Sequence, residues 1–414
     1  MEHYGTDGIR MADMTALMRL GYQMGLAQRG KGKVAVAEDN RPTSDKIAGA
    51  VMAGLWDAGV DIVYGGVLPT PALQYATRML TADAGIMVTA SHNPAAYNGL
   101  KYFDADGQKP TEEGARQLMD AMRDLPYTER EYLPQVQDVM AKVYRQKFRS
   151  LGNIPLKVAV DCANGAAYPM VKRILSEHGV EGVYLHHGEG KQINRDCGAL
   201  HPQSLARTEG VDMGFALDGD GDRCVVVTRG GRVVDGDGIL YLLARYRQQK
   251  GMDVGGVIVS TVMANDALKQ ALAPMDIRLV RTQVGDSHVA QSMRQNGALL
   301  GGEPSGHILV DGHPADGIYT GLLVAQIALE MDLDDLLRDY HPLPQYSTRI
   351  KASPEALRRA TAASEKWQDY LSGTGRIVVR PSGTEPVVRI MVECLSAHLA
   401  ENIALSIAQA AKGR

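Results

Sequence analysis

The chain has 414 residues, of which 45% are hydrophobic and 22% are charged, and its formal net charge at pH 7 is −4. These values are ordinary for a folded globular protein, and they provide neither a basic surface for nucleic acid nor a run of roughly 18–20 apolar residues for a membrane span. The four cysteines are widely spaced with no CxxC pair, which indicates neither a disulfide framework nor a zinc site and suits a reducing cytoplasm.

Predicted strands and helices alternate in three successive cycles, which is typical of βαβ units. The first cycle runs over residues 34–88, the second begins at residue 158 and the third at residue 236. At roughly 100–200 residues per domain, the chain is long enough for several domains. We therefore expect three similar α/β domains.

Two stretches mark domain boundaries. Residues 126–137 are charged and lose the apolar pattern, and His341-Pro342-Leu343-Pro344 is a linker that is incompatible with a helix. The residues beyond this linker predict helices and strands without the βαβ rhythm, so we expect a separate α+β domain there. The predicted domains span residues 1–135, 136–235, 236–341 and 342–414.

A polar loop follows the apolar run 84–88, which is predicted to be a buried strand. The loop begins Thr89-Ala90-Ser91-His92-Asn93-Pro94, and Lys101 lies ten positions after Ser91. Loops that follow the strands of open α/β sheets often carry chemistry. Ser91 offers a hydroxyl nucleophile, and His92 and Lys101 can carry protons or hold an anion. Taken alone, however, this loop is better explained as a polar turn.

The most specific motif is Asp218-Gly219-Asp220-Gly221-Asp222-Arg223. Carboxylates at alternating positions of extended backbone project to one side, and the glycines let the backbone curl around a small ion. Oxygen ligands in this number suit Mg²⁺. An EF-hand loop is excluded because Arg223 and Arg229 stand where glycine and glutamate are required. Arg223 indicates that an anion shares the site.

Two further loops suit a phosphorylated polyol. In Gly301-Gly302-Glu303-Pro304-Ser305-Gly306-His307, three polar side chains can hydrogen-bond hydroxyl groups, although this loop alone is better explained as a glycine turn. The loop Arg380-Pro381-Ser382-Gly383-Thr384 follows a predicted strand. It presents a guanidinium, two hydroxyls and successive N–H groups, which can form an anion-binding nest. A Pro-Ser-Gly turn is the alternative interpretation.

All four motifs occur in the order found in the α-D-phosphohexomutases, and the chain resembles this family along nearly its whole length. Within the family, the motifs at residues 5–10, 284–286 and 380–386 most resemble those of the bacterial phosphoglucosamine mutases. The resemblance implies an α/β fold in which three similar domains with mixed sheets and a C-terminal α+β domain, like the TATA-binding-protein fold, surround a central cleft. It also implies small-molecule sugar phosphates as partners, with a homodimer as one option.

The resemblance implies roles for individual residues. Ser91 would be the phosphoserine and would bind one Mg²⁺ per chain together with Asp218, Asp220 and Asp222. The reacting centre would be lined by His92, Lys101, Arg10 and Arg223, with Lys101 or His307 as the general base. The sugar and its distal phosphate would be bound by Glu303, Ser305, His307, Arg380, Ser382, Gly383 and Thr384.

The implied reaction interconverts glucosamine 6-phosphate and glucosamine 1-phosphate through phospho-Ser91 and a hexosamine 1,6-bisphosphate, for the synthesis of amino-sugar nucleotides and cell-wall precursors. A phosphoglucomutase or phosphomannomutase would share the catalytic residues, and a non-catalytic sugar-phosphate-binding regulator is a second alternative. Three positions depart from the family pattern. Met11 replaces a glycine, Glu38-Asp39-Asn40-Arg41-Pro42 replaces the usual Asp-Thr-Arg pattern, and Gln283 replaces a frequent lysine.

Overall fold

The computed structural model describes residues 5, 7–382 and 386–413. These residues form four sheets in chain order, and helices pack on each of them. The expected fold class, three α/β parts followed by an α+β part, is confirmed. Within the described residues, no helix combines the length and the apolar character that crossing a bilayer requires.

Five strands form the first sheet: β1 (Ile9–Met11), β2 (Lys33–Glu38), β3 (Asp61–Val67), β4 (Ala84–Val88) and β5 (Asn98–Phe103). Their spatial order is β1-β5-β4-β2-β3, with β2 parallel to β3 and β4, and β5 antiparallel to β4 and β1. Every residue of β4 is buried, as expected for a strand covered on both faces. The accompanying helices are α1 (Met14–Leu26), α2 (Ser44–Asp57), α3 (Thr70–Met79) and α4 (Glu112–Arg123).

The second sheet repeats this mixed plan after helix α5 (Val139–Gln146). Its elements are β6 (Lys157–Asp161), α6 (Tyr168–Glu177), β7 (Glu181–Leu185), β8 (Met213–Leu217), β9 (Cys224–Thr228) and β10 (Val233–Val234). The spatial order is β10-β9-β8-β6-β7. Because β8 runs antiparallel to β9, the loop between them forms a hairpin turn at one edge of the sheet.

The third sheet has four strands in the order β12-β11-β13-β14. In chain order its elements are α7 (Gly236–Gln249), β11 (Val257–Thr261), α8 (Asp266–Leu272), β12 (Arg278–Thr282), α9 (Asp286–Asn296), β13 (Leu300–Gly302), β14 (Ile308–Val310), α10 (Gly317–Glu330) and α11 (Leu333–Leu336). The predicted polyol loop lies between β13 and β14, which pair as an antiparallel hairpin.

One continuous hydrophobic core joins the first three sheets. Helix α5 packs against α3 of the first sheet, and α10 packs against β8 and β9 of the second. The hydroxyl of Tyr144, on α5, donates to the buried carboxylate of Asp316 at 2.9 Å, and Asp316 caps α10 by accepting from Tyr319 N–H at 3.0 Å. The shared core fixes the three sheets relative to one another. The domain limits stay predictions.

The C-terminal part has a separate core and an antiparallel sheet. Its elements are β15 (Gln345–Lys351), α12 (Pro354–Leu371), β16 (Gly375–Pro381), β17 (Val387–Cys394) and α13 (Ala397–Ala411), with the strand order β15-β17-β16. The sequence patterns do not predict β15, because most of its residues are polar and alternate ones are exposed. This strand carries Arg349, which is described below with the candidate active site.

A buried carboxyl at the end of β2, that of Glu38, predicts that the stability of the fold depends on pH. Glu38 is 5% exposed, and its Oε1 accepts from the Tyr64 hydroxyl at 3.0 Å. Burial, with smaller contributions from Asp45 and Asp39, raises the pKa of Glu38 to about 7. The folded protein therefore binds one proton more than the unfolded chain between the ordinary pKa of a glutamate and pH 7, so stability falls as the pH rises through this window.

We expect Glu38→Gln to remove the loss of stability at higher pH, because glutamine keeps an acceptor for the Tyr64 hydroxyl and cannot ionise. The variant should be more stable than the wild type by about 1–3 kcal/mol at pH 8, and the difference should disappear near pH 4.5. Urea unfolding at several pH values measures it, with the substitution Glu365→Gln on α12 as control. A difference that does not change with pH would contradict the burial of an ionised Glu38.

Candidate active site

Ser91 lies at the edge of the first sheet, three residues after β4 ends at Val88. We call residues 89–97 the serine loop. Ser91 is fully buried and has a left-handed backbone with a φ of 50°, and its N–H donates to Thr89 Oγ1 at 2.9 Å. Its Oγ donates to Asp218 Oδ2 at 2.7 Å, so the hydroxyl faces a second loop that lies 127 residues further along the chain.

That second loop, residues 218–223, connects β8 to β9, and we call it the acid loop. Asp218, Asp220 and Asp222 are buried, and one carboxylate oxygen from each lies within 4.8 Å of the other two. In the described part of the chain, one oxygen of Asp220 and one of Asp222 have no hydrogen-bond partner. Burial, together with the charges of Asp222 and Asp220, raises the pKa of Asp218 to about 7. Three such carboxylates form a group that can hold a metal ion.

A buried lysine offsets part of this negative charge. Lys101, on β5, places its Nζ 2.7 Å from Asp220 Oδ2 and 2.9 Å from Asp222 Oδ2. Burial lowers the pKa of Lys101, but the two carboxylates outweigh burial, so the pKa is raised and the side chain holds its proton. Thr70 Oγ1 donates to the same oxygen of Asp220 at 2.5 Å. Lys101 therefore forms ion pairs with the acid loop, in addition to lying in the strand that follows the serine loop.

A cleft of about 620 Å³ opens beside the two loops. Residues from all four sheets and their loops line it, and five of the predicted site residues are among them: Arg10, His92, Arg223, Glu303 and His307. Ser91 and the three aspartates are buried next to this wall, because Asp218 contacts Arg223 and Asp222 contacts His307. These five residues, together with Ser91 and the three aspartates, thus lie at or beside one cavity.

Cations dominate the wall beside the serine loop. Arg10 pairs with Asp7, and its Nη1 lies 3.5 Å from Asn93 Oδ1. Arg223 places its Nε 3.9 Å from Asp218 Oδ2. Burial, together with the positive charges of Arg223 and Arg10, lowers the pKa of His92 to about 3, so His92 is neutral at pH 7. Two guanidinium groups therefore face the space where a transferring phosphate would lie.

The cleft also contains a chain of ion pairs in which only His307 was predicted from the sequence to belong to the site. His307 Nε2 lies 3.0 Å from Asp286 Oδ2, and Lys109 Nζ lies 2.5 Å from the same oxygen and also pairs with Asp7. Burial opposes protonation of His307, but Asp222 and Asp286 raise its pKa to about 9. Asp286 begins α9 directly after Gly285, and this glycine–aspartate pair could have marked Asp286 as a candidate site residue from the sequence. Nothing in the sequence around Lys109 distinguishes that lysine from other lysines.

Three arginines form a row across the C-terminal sheet. Arg389 on β17 is paired in register with Arg349 on β15 and with Arg380 on β16. Arg349 and Arg389 line the main cleft, and all three line an adjoining cavity of about 400 Å³. Guanidinium groups side by side can bind an anion through several hydrogen bonds, so this row suits an anionic ligand. Burial lowers the pKa of Arg380, and the charge of Arg389 adds to the effect.

Of the remaining predicted binding residues, Glu303 lines the cleft, Ser305 and Ser382 are not among the residues that line it, and two lie outside the described part of the chain. Glu303 Oε1 accepts from Gly285 N–H at 3.1 Å. Ser305 Oγ is buried and has no hydrogen-bond partner within the described residues. Ser382 donates its N–H to Val387 O at 2.9 Å at the end of the hairpin. Gly383 and Thr384, the other predicted members of the anion-binding nest, lie outside the described residues.

A second group with metal-ligand chemistry, Asp161, His186 and Cys197, lies in the second sheet. Asp161 already accepts from the N–H groups of Ala163 and Gly198 and from the ring of His186, at 2.9 to 3.0 Å. Burial, with the charge of Asp161, raises the pKa of Cys197 to about 12. This group is a satisfied hydrogen-bond network that shapes the loops of the second sheet.

Comparisons with known proteins agree with this arrangement. Four descriptions of the phosphoglucomutase/phosphomannomutase family match: alpha/beta/alpha domain I over residues 2–128, domain II over 130–231, domain III over 235–343, and the C-terminal domain over 347–410. The chain is 39% identical to the phosphoglucosamine mutase of Moorella thermoacetica, with 99% of each chain covered.

Solved structures of similar proteins share the fold. A phosphoglucomutase/phosphomannomutase family protein from Burkholderia thailandensis has a TM-score of 0.81 and 26% identity, with 99% of this chain and 97% of that chain covered. N-acetylphosphoglucosamine mutase from Aspergillus fumigatus, solved in complex with GlcNAc-6P and magnesium, has a TM-score of 0.69 and 17% identity, with 99% of this chain and 95% of that chain covered.

The charge balance around the acid loop predicts how a lysine variant responds to a cation. Lys101→Met leaves three buried carboxylates without their lysine, so in EDTA the variant should lose about 3–5 kcal/mol of stability. If the folded acid loop binds a divalent cation, added Mg²⁺ should raise the Tm of this variant more than that of the wild type. Thermal unfolding with and without Mg²⁺ measures both effects.

Lys109→Met is the matched control, because Lys109 pairs with Asp7 and Asp286 and contacts none of the three aspartates directly. Its Tm should respond to Mg²⁺ as the wild type does. An equal Mg²⁺ response in all three proteins would contradict the account of the acid loop as a cation site.

Proposed function

Because the chain belongs to the phosphoglucomutase/phosphomannomutase family, we propose that it is an isomerase that interconverts glucosamine 6-phosphate and glucosamine 1-phosphate. The observation that carries this proposal is the contact between Ser91 Oγ and Asp218 Oδ2 at 2.7 Å, which joins a serine nucleophile to a cluster of three carboxylates beside one cleft. The choice of the amino sugar is supported by relatives such as the Moorella phosphoglucosamine mutase, at 39% identity over 99% of both chains.

We propose that Asp218, Asp220 and Asp222 hold one Mg²⁺ together with Ser91 or its phosphate. The donor set is made of oxygens only, which suits this hard cation, and two of these buried oxygens have no hydrogen-bond partner in the described part of the chain. When bound, the cation would offset negative charge on the phosphate of Ser91. The magnesium in the structure of the Aspergillus enzyme is consistent with this choice.

In the first transfer, the bond between Ser91 Oγ and phosphorus breaks as a bond forms between phosphorus and the free sugar hydroxyl. Arg10 and Arg223 line the cleft and stabilise the charge on the transferring group. The proton of the sugar hydroxyl must leave during this step. Of the two candidates for the general base, His307 lines the cleft, whereas Lys101 is buried between two aspartates, so we assign contact with the hydroxyl to His307. Because the pKa of His307 is raised to about 9, the ring must first release its own proton to solvent, and the neutral ring then accepts the proton of the hydroxyl.

The product of the first transfer is a hexosamine 1,6-bisphosphate, which must turn end over end before the second transfer. Ser91 Oγ then bonds to the 6-phosphoryl group, the bond between that phosphorus and sugar O6 breaks, and O6 takes up a proton. Glucosamine 1-phosphate is left. A ligand with a phosphate at each end suits a cleft that has Ser91 beside it and is also lined by Arg349 and Arg389 of the C-terminal sheet.

We propose that the arginine row binds the phosphate that is not reacting. Arg380 and Ser382 were predicted for this role, and the strand register adds Arg349 and Arg389 beside Arg380. Gly383 and Thr384 complete the proposed nest. Glu303 and Ser305 are proposed to bind the sugar hydroxyls, since both belong to the loop between β13 and β14 and Glu303 lines the cleft.

A mutase for a neutral hexose remains the second candidate, because it would share the serine, the aspartates and the arginines. A regulator without catalysis is disfavoured, because the nucleophile, the carboxylates and the cations all converge on one cleft. We further propose a cytoplasmic location, sugar phosphates as the partners, and a homodimer as one possible assembly.

A substrate panel tests the proposal. Turnover of glucosamine 6-phosphate should exceed turnover of glucose 6-phosphate and mannose 6-phosphate by at least about tenfold in kcat/KM, and EDTA should abolish it. Ser91→Ala should be inactive with every sugar, because it lacks the oxygen that carries the phosphoryl group. A preference for either neutral sugar would overturn the substrate assignment, and an active Ser91→Ala would overturn the mechanism.

A further inference from the structure

Two side chains from different sheets bind the same carbonyl groups of the serine loop. Arg41, which follows β2, donates from Nη2 to the carbonyls of Ser91 and Asn93, both at 2.8 Å. Asn194, from the second sheet's loops, donates from Nδ2 to the same two carbonyls at 2.8 and 3.1 Å. The backbone on both sides of His92 is therefore held from two directions.

Arg41 is itself rigidly fixed. Its Nη1 donates to the carbonyls of Pro94 and Tyr97 at 2.6 and 2.8 Å, so its guanidinium binds four carbonyls of one loop. Its Nε donates to Asp39 Oδ2 at 2.8 Å, and both side chains are fully buried. Asp39 also accepts from Thr89 Oγ1 at 2.7 Å, which ties the start of the serine loop to the same ion pair.

Asn194 connects the serine loop to the sheet that carries the acid loop. Its N–H donates to Ala163 O at 2.9 Å, and its backbone is left-handed with a φ of 58°. Gly219 of the acid loop lies against both groups, since a Cβ there would be 2.6 Å from Ser91 O and 2.8 Å from Asn194 Nδ2. The acid loop, Asn194 and the serine backbone are thus in direct contact.

The serine loop needs such support because Ser91 has a left-handed backbone, which is unfavourable for a residue with a Cβ. Strained conformations of this kind persist only where the surroundings hold them in place. We infer that Arg41 and Asn194 are positioning residues, which hold Ser91 in this conformation so that its Oγ stays within reach of the acid loop. This inference rests on the proposed mutase function.

Neither Arg41 nor Asn194 is among the residues that line the cleft. Their loss should therefore misplace the nucleophile without removing a contact to the sugar phosphate. Misplacement of a reacting group lowers the rate of transfer, whereas binding of the substrate depends on the cleft walls. The expected signature is a fall in kcat with little change in KM.

The experiment uses Asn194→Gly and Asn194→Asp, because glycine and aspartate both tolerate a left-handed backbone and neither supplies the amide donor. Asn194→Gly should lower kcat about tenfold, with KM within about twofold of the wild type. Asn194→Asp should be slower still, because it places carboxylate oxygens against two carbonyl oxygens. Asn296→Ala is the matched control, since it also loses a hydrogen bond from a side-chain amide to a backbone carbonyl. In this case Asn296 Nδ2 donates to Ser292 O at 2.9 Å, within α9.

Arg41→Lys provides the second test, because lysine keeps the charge but cannot span four carbonyls. It should show the same fall in kcat. Arg247→Lys is its control, since Arg247 is a partly buried arginine paired with Asp311 at 2.7 Å, away from the cleft. Hydrogen exchange of residues 89–97 should be faster in the Arg41 and Asn194 variants only, and this readout does not depend on the substrate.

A kcat within twofold of the wild type in both Asn194 variants and in Arg41→Lys would overturn the inference. So would a fall in kcat that is matched in the two control variants. If the wild type turns over only a neutral hexose phosphate, the proposed substrate fails, and the same kcat and KM comparison is made with that sugar. The two failures are therefore distinguishable.

Discussion

The active site depends on the balance of charges where the serine loop meets the acid loop. Three buried carboxylates converge there, and burial with mutual repulsion raises the pKa of Asp218 to about 7. Lys101 offsets two of the three, and Arg223 lies 3.9 Å from the third. Buried charges of one sign are unstable unless cations accompany them, so this region is built for a ligand that carries positive charge. The Ser91 hydroxyl donates to Asp218, which joins the proposed nucleophile to this carboxylate cluster.

The fold explains how groups so distant in sequence reach this point. Strand β4 ends beside Ser91 and β8 ends beside Asp218, and both strands are fully buried in covered sheets. The continuous core through α5 and α10 fixes the first three sheets relative to one another. The C-terminal sheet has its own core and contributes arginines to the far wall of the cleft. One wall is therefore rigidly connected to the nucleophile, while the other belongs to a separately packed part.

The sequence predicts those parts of the site that depend on local pattern. Ser91 and the three aspartates each lie in a polar loop directly after an apolar strand, and Arg380 lies close to the end of β16, and such places can be recognised without a structure. Their convergence was expected from the family resemblance. In the structure Ser91 contacts Asp218, and Lys101 contacts Asp220 and Asp222, whereas the roles that the resemblance implied for these residues stay predictions.

Other functional residues could not be predicted, because their roles come from long-range approach. Lys109 gains its role only by reaching Asp286 in the third sheet. Arg349 lies in β15, whose polar pattern does not predict a strand, and the arginine row appears only once the strand register is known. Arg41 and Asn194 act through backbone carbonyls, whose positions no side-chain pattern reveals. Local sequence thus indicates the groups that react, and the structure is needed for the groups that hold them.

The most direct test of the central claim uses ³¹P NMR of the enzyme phosphorylated at Ser91, with Mn²⁺ as a paramagnetic substitute for Mg²⁺. If the serine and the acid loop share one cation, stoichiometric Mn²⁺ should broaden the phosphoserine resonance beyond detection, and Asp220→Asn should restore a sharp line at the same Mn²⁺ concentration. A resonance that stays sharp while Mn²⁺ is bound to the wild-type protein would contradict the account.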